Sequence, residues 1–557
     1  MFGDVLRSLP RACLLFTALT LVVTWPQAMH LGTQAADHYD VFFNMWRFGW
    51  FAHALVKAPA SLLDGNIFHP ERRTLTFSDA MPVESALAAP LLWLSVPPVL
   101  VHNLILLLGI ILSGAGMFVL AREVTGSRLA GLVAGMIFSF APYRFEHYMH
   151  MELQWTVWMP WAFWALYRAV TTGRLRFGLL TGLFLTLQML SSIYYGVFLA
   201  ALLPIAAAVL FATVREAPVR RSAAALLAGA LVAAVLCGIY AAPYRETREL
   251  VGARSIDEVE QFSATPASYL AASPTNFLYG RTSDSLGGQE RRLFPGALAL
   301  MLAVAGLVLR PRAPVAAASL ACGLLAFDLS LGPNGLLYEA VYRHVTLFHA
   351  FRAIARLGVF VLFFVALLAA HGTAVITRPL PPPRRRAAGA VLCGILLAEY
   401  WVAPLPLVAY PNEPPDIYRL LESQPFGIVA EFPLPSNVEP GDEPRIIYAS
   451  TFHWKPLLNG YSGYYPPSYK HRRIRLRAFP APHTIGRLRK EGVRYVIVHS
   501  TGYPPVELER VLASLTANPH LIELGRFSDG VGPAVLFTLR GGGTPIASTG
   551  AEVNGDR

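Results

Sequence analysis

The sequence predicts a mainly α-helical, polytopic membrane protein of about 11 transmembrane helices, followed by a small α/β domain. Three observations predict it. Of the 557 residues, 54% are hydrophobic and only 15% charged, with a mean hydropathy of +0.45, whereas a soluble globular domain carries roughly 25% charge. Apolar runs approaching the ~20 residues that cross a bilayer recur along the first 400 positions. After residue 408 the pattern changes to short β-rich runs alternating with amphipathic helical ones.

The predicted spans lie near residues 10–31, 99–121, 128–143, 153–171, 177–193, 195–213, 222–243, 295–309, 314–330, 357–377 and 387–407, and the polar-aromatic break "SSIYYG" divides the run from 177 to 213. The first run has no clear small-residue cleavage site and continues into an aromatic segment, so it reads as a retained helix and not as a secretory signal. Cys13, Cys237, Cys322 and Cys393 all fall in apolar runs. They read as small core residues, with neither a disulfide framework nor a thiolate metal cluster.

Arginines set the expected orientation. Threading the chain back and forth gathers Arg7, Arg11, Arg122, Arg128, Arg168 to Arg176, Arg215 to Arg221, Arg310, Arg312 and the "RPLPPPRRR" run on one side, which by the positive-inside rule is cytoplasmic. The net charge of +11 is therefore topological and no nucleic-acid partner is implied. Residues 1–407 form the transmembrane domain, with outer loops at 32–98, 144–152, 244–294 and 331–356. Residues 408–540 form an extracytoplasmic α/β domain and 541–557 a disordered tail. In that domain "GIVAEFPLP", "VRYVIVHS" and "PAVLFTL" read as buried strands, and "PPDIYRLLESQ" and "PVELERVLASLTAN" as amphipathic helices. The cytoplasmic loops carry no Walker loop and no GxGxxG after a strand, so the chemistry is expected on the outer face.

The first outer loop opens on "AADHYDVFFNMWRFGWFAHAL". Asp37 and Asp40 stand close to the end of the first span with no Lys or Arg adjacent in sequence, and carboxylates near a bilayer are costly unless used or bridged. Phe42, Phe43, Trp46, Trp50 and Leu55 form one apolar face, which suits an interfacial helix in the headgroup zone. The plainer reading makes Asp40 the N-cap of that helix. The second loop, "APYRFEHYMHMELQW", packs Arg144, Glu146, His147, His150 and Glu152 into nine residues. On a continuous helix Arg144, His147 and His150 share roughly one face, a grouping that suits a phosphate. A divalent cation is the second option, although the histidine spacing is not HExxH. Further loops supply Arg254, Glu290, Arg352 and Arg356. Arginine on this side runs against the positive-inside tendency, so Arg352 and Arg356 are candidate ligands, with snorkelling or pairing to outer acids as the plainer reading. The C-terminal domain adds a polar cluster of Glu431, His453, Lys455, Asn459 and Tyr461. Asn459-Gly460 is also an ordinary turn signal.

The stretches "DVFFNMWRFGWFAHAL", "LLDGNIFHPERRTLTFSDAMPVESALAAPL", "LFHAFRAIARLGVF", "FHWKPLLNGYSGYYPPSY" and "LRKEGVRYVIVH" resemble a bacterial group within the GT-C superfamily of polytopic membrane glycosyltransferases. The resemblance implies a GT-C-like fold in the bacterial inner membrane, multi-pass with a cytoplasmic N-terminus. It implies inverting transfer of a sugar from a polyprenyl-phosphate donor to a glycan, lipid or protein acceptor on the extracytoplasmic face. Asp40 matches the family's acidic base of the first outer loop, with Asp37 as its partner. The Asp-His-Tyr-Asp spacing departs from an adjacent acidic pair. Arg144, His147, His150, Arg352 and Arg356 are then the expected donor-phosphate ligands, and Glu152, Arg254, Glu290, His453 and Asn459 the acceptor or supporting residues. No cofactor is required beyond a possible divalent cation, Mg or Mn. A lipid or polysaccharide transporter or flippase, and an inactive envelope-assembly scaffold, are the rival readings. Scarce charge within the spans and the lack of an evident inverted repeat weigh against transport.

Overall fold

The computed structural model describes residues 2–310, 313–435 and 440–541, with side chains from residue 9 onward. Residues 542–557 of the tail expected from 541, the side chain of Arg7, and Arg312 lie outside the described residues. The chain is mainly helical and divides into two compact units, Met1–Val41 with Asp79–Tyr410, and Phe42–Ser78 with Pro411–Arg557. The 42–78 segment, expected in the first outer loop, thus belongs with the C-terminal residues.

In the first unit four stretches among the described residues are long and apolar enough to cross a membrane: Pro98–Thr125, Ile193–Thr213, Val219–Val251 and Ile354–Thr377. Shorter apolar helices run over Leu9–Val23, Leu175–Ser191, Ala297–Leu309 and Pro314–Ser330. The expected spans near 128–143, 153–171 and 387–407 coincide with the helices Arg128–Phe140, Trp158–Thr172 and Pro382–Glu399, which are shorter or more polar. Along Val219–Val251, Leu227, Leu231, Val235 and Ile239 stand exposed at four-residue spacing. They make one apolar stripe, the face expected toward lipid and too extended for water.

Small residues bring these helices together. A Cβ on Gly178 would lie 1.9 Å from the Ala225 carbonyl oxygen and one on Gly182 2.0 Å from that of Gly229. The Leu175–Ser191 and Val219–Val251 helices therefore cross backbone to backbone through a GxxxG stripe, the packing favoured where no hydrophobic force separates helix from lipid. Gly306 and Gly372 do the same for Ala297–Leu309 and Gly358–Thr377. Outside the helices, strands β1 (Gln34–Ala36) and β2 (Leu407–Ala409) pair antiparallel, which fixes the start of the first loop.

The second unit holds a four-stranded sheet in the order β3-β4-β6-β5, with β3 (Ile428–Phe432) and β4 (Val493–His499) parallel, and β5 (Leu521–Ser528) and β6 (Pro533–Leu539) antiparallel. Strands β3, β4 and β6 and the helices Asp416–Ser423 and Pro505–Thr516 fall on the runs read as such from sequence. Strand β5 escaped that reading because its burial does not alternate cleanly. Ala430, Val496, Val498, Val535, Phe537, Leu488 and Leu515 fill the core.

The helix Tyr39–Lys57 corrects two expectations. Its start places Asp40 inside the first turn, so Asp40 is not the N-cap. Its aromatic face is buried in protein: Trp46 is 0% exposed and donates to Asn66 at 3.0 Å, Phe43 packs edge-on to Tyr461, and Trp50 packs against Trp454. An amphipathic aromatic face buries equally well against headgroups or a protein surface, and periodicity does not distinguish the two.

Candidate functional site

The polar centre of the first unit begins where β1 hands over to the Tyr39–Lys57 helix. The Tyr410 hydroxyl lies 2.8 and 2.9 Å from the carbonyl oxygens of Ala36 and His38 and accepts from the His38 N–H at 3.2 Å. That tether holds the Asp37–Asp40 turn. Asp37 is exposed, whereas Asp40 is half-buried. The Asp40 N–H donates to His38 Nδ1 at 3.1 Å, and Asp40 Oδ2 lies 3.8 Å from that nitrogen and 3.3 Å from His150 Nε2. Burial lowers the His38 pKa, against the pull of Asp40. Glu152, in the first turn of Met151–Gln154, is near enough to act on His38 electrostatically.

The second loop is not one helix. It breaks after Pro142–Glu146 and resumes at Met151–Gln154, so the expected shared face of Arg144, His147 and His150 does not form. Arg144 is 3% exposed and donates to the carbonyls of Leu153 at 3.0 Å and Gln154 at 2.8 Å, while the Gln154 amide returns bonds of 2.8 Å to the carbonyls of Arg144 and His147. An arginine fork with two carbonyls satisfies backbone that the helix break leaves unpaired. Arg144 therefore shapes the loop.

That clamp presents His147 and His150, whose ring centroids are 5.4 Å apart. Neither ring nitrogen of His147 has a hydrogen-bond partner among the described residues, and His150 Nδ1 has none. Burial pushes His147 down to about 3, so it is neutral at pH 7. Its Nε2 faces Glu290 Oε2 at 3.7 Å. Glu290 is held by Arg356 through Nε at 3.0 Å and Nη2 at 2.5 Å. Burial alone would raise the Glu290 carboxyl, but Arg356 holds it well below the usual carboxylate range. Glu290 sits at φ +67°, a left-handed conformation uncommon for a non-glycine residue and concentrated at functional sites. Beside it Arg292 pairs with Glu146 at 2.8 and 3.0 Å and with Asp284 at 2.8 Å. The structure thus links Asp40, His150, His147, Glu290 and Arg356 in one continuous polar chain.

Two other expected ligands lie apart from that chain's contacts. The Arg352 guanidinium stacks over Phe262 at 5.1 Å, and the backbone N–H of Arg352 donates to the Tyr194 hydroxyl at 3.2 Å. Arg254 pairs with Glu258 one turn on, at 2.7 Å. His38 was not among the expected site residues. Its signal lay in the Asp-His-Tyr-Asp spacing itself.

His38, Asp40 and His150 can each bring one ligand atom within 4.8 Å of the other two. Two imidazoles and a carboxylate fit Mn2+ better than Mg2+, which prefers an octahedral oxygen shell. The outer support is thin, since His150 Nδ1 lacks the acceptor that usually orients a metal-bound imidazole.

In the second unit, Asn459 is 0% exposed; it accepts from the Glu431 N–H at 2.8 Å and donates to the Glu431 carbonyl and Glu443 Oε1, both at 2.9 Å. It completes the edge of β3. His453 Nδ1 accepts from the Lys455 N–H at 3.0 Å, and burial pushes its pKa down to about 3. Sequence reading missed a further histidine here. His499 is clasped between Glu431 at 2.6 Å and Asp529 at 2.7 Å, and Asp529 also pairs with Arg445 at 3.1 Å. Burial opposes the charged imidazole, but the two carboxylates raise it to about 9.

Residues 11–398 match a family model described as Domain of unknown function (DUF6311). The chain belongs to the DUF6311 family. The match spans every residue of the polar chain from Asp40 to Arg356, and within the second unit only residues 42–78. No curated protein matches the chain.

Proposed function

We propose that this DUF6311 protein is a membrane glycosyltransferase that moves a sugar from a polyprenyl-phosphate donor to an acceptor on the extracytoplasmic face. The observation that carries the proposal is the chain Asp40–His150–His147–Glu290–Arg356, in which a half-buried carboxylate faces an imidazole with an unpartnered ring nitrogen. The likeness of the loop sequences to GT-C enzymes supports the same reading. Asp40 acts as the base: it takes the proton of the acceptor hydroxyl as that oxygen attacks the anomeric carbon and the C–O bond to phosphate breaks with inversion. His150, at 3.3 Å, orients the carboxylate. The leaving phosphate departs as an anion and needs compensating charge rather than a proton. Arg352 suits that task because its guanidinium carries no ion pair among the described residues, whereas Arg356 is neutralised by Glu290 and Arg144 by its own loop.

A divalent ion at His38, Asp40 and His150 would supply phosphate neutralisation at the same place. A metal-bound Asp40 is not a free base, so the two roles of Asp40 exclude each other. Transfer of labelled sugar from a polyprenyl-phosphate donor, assayed on reconstituted protein with and without a chelator, separates them. Loss of transfer in Asp40→Asn with chelator-insensitive wild-type activity supports the base; chelator-sensitive activity restored by Mn2+ supports the metal. Lipid-linked sugar that crosses leaflets with no glycosidic bond formed overturns both in favour of transport.

A further inference from the structure

A second site lies at the arginine-rich end of the first unit, where a cavity of about 760 Å³ opens among the helices Pro98–Thr125, Arg128–Phe140, Gly358–Thr377 and Pro382–Glu399. Among the described residues its wall contains Arg128, Arg310, Arg378, Arg385 and Arg386 and no acidic residue. None of the five forms an ion pair among the described residues. Arg128 opens its helix and Arg385 is the fourth residue of its own, where the positive end of the macrodipole disfavours cations. Concentrated positive charge at unfavourable ends is stabilised by an anion.

A buried group points the same way. His371 lines the cavity at 5% exposure, and its Nε2 has no hydrogen-bond partner among the described residues. Beside Thr125, Ser127 and Thr377 the rest of the wall is apolar, including Leu129, Leu132, Val375 and Cys393. A soluble anion has no use for that half. Basic pockets between transmembrane helices are where anionic lipid headgroups bind, and the volume lies within the range of roughly 300–1,000 Å³ usual for ligand sites.

We propose that this cavity binds an anionic glycerophospholipid, its phosphate among the five arginines and His371 and its acyl chains along Leu129, Leu132 and Val375. The site is separate from the Asp40 centre and rests only on the membrane character of the chain. Full-length protein in phosphatidylcholine nanodiscs, titrated with phosphatidylglycerol and analysed by native mass spectrometry, tests it. Wild-type protein retains phosphatidylglycerol over phosphatidylcholine. The triple variant Arg310→Gln, Arg385→Gln, Arg386→Gln loses that preference by about tenfold or more, the energy of one or two charged hydrogen bonds. Leu132→Trp keeps every charge, fills the apolar half and also loses the lipid. Equal retention of the two lipids by wild-type protein overturns the proposal even if the triple variant does not fold. Displacement of phosphatidylglycerol by millimolar inorganic phosphate, with Leu132→Trp unaffected, overturns the lipid assignment in favour of a soluble anion.

Discussion

The two units each bury a histidine among acids and an arginine, and they treat it in opposite ways. His499 has a carboxylate on each ring nitrogen at 2.6 and 2.7 Å and is held protonated. His147 lies 3.7 Å from its carboxylate, has no hydrogen-bond partner on either nitrogen among the described residues and is held neutral. Closed hydrogen bonding around a buried charge serves stability and leaves nothing for a ligand. Open valences beside an ion pair and a strained backbone cost stability, and proteins keep them where a bound group completes the set. That contrast favours the first unit as the seat of the proposed chemistry.

The largest effect expected is on Asp40. Asp40→Asn, expressed and monodisperse at the wild-type level, lowers sugar transfer by roughly 10²- to 10⁴-fold; unchanged transfer would remove Asp40 from the mechanism. Next is the closed network. His499→Phe leaves Glu431, Asp529 and Arg445 without their central partner and destabilises the protein by about 3–5 kcal/mol, read as a fall in Tm of the full-length variant relative to wild type. The same network predicts a pH dependence. The folded pKa of His499 lies above its unfolded value, so its contribution is complete below about pH 6.5 and is lost as pH rises through about 9. Asp529 is held below its ordinary value chiefly by His499 and Arg445, against burial, so its contribution is lost only in strong acid. Stability should therefore decline from pH 7 toward pH 10, and His499→Phe should flatten that decline.

The open site predicts the reverse sign. His147→Phe removes a buried unpaired polar group and stabilises by about 1 kcal/mol while lowering transfer. A Tm that falls by as much as in His499→Phe would break the comparison, since it would mean that His147 is as well partnered as His499. The helix scaffold gives the last prediction. Gly182→Ala drives a methyl group against the Gly229 carbonyl and lowers Tm in detergent by an amount typical of overpacking, about 1–3 kcal/mol. No change there would mean the two helices separate freely.

How much of this was legible in the sequence follows the range of the forces involved. Apolar runs at 98–125, 193–213, 219–251 and 354–377 and the strands at 428–432, 493–499 and 533–539 are local patterns, and the structure forms elements on them. Asp40 was legible as an acid in the wrong solvent. The aromatic helix was misread because its face fits lipid and protein alike, and Arg144 because nothing in its spacing reveals a helix break whose carbonyls need a donor. Glu290 stood out in sequence only as one acid beside two arginines; its left-handed φ and its hold on Arg356 come from residues 66 positions apart.

Sequence alone thus determined the membrane character, the helix-forming runs, the small mixed sheet and the acids of the first loop, because hydropathy and periodicity act over a few neighbouring residues. Tertiary structure decided which charges are satisfied and which are open. His38, His150, Glu290 and Arg356 come together only through tertiary packing, and the difference between a histidine closed by hydrogen bonds and one left open is a difference of about one ångström in partner distance.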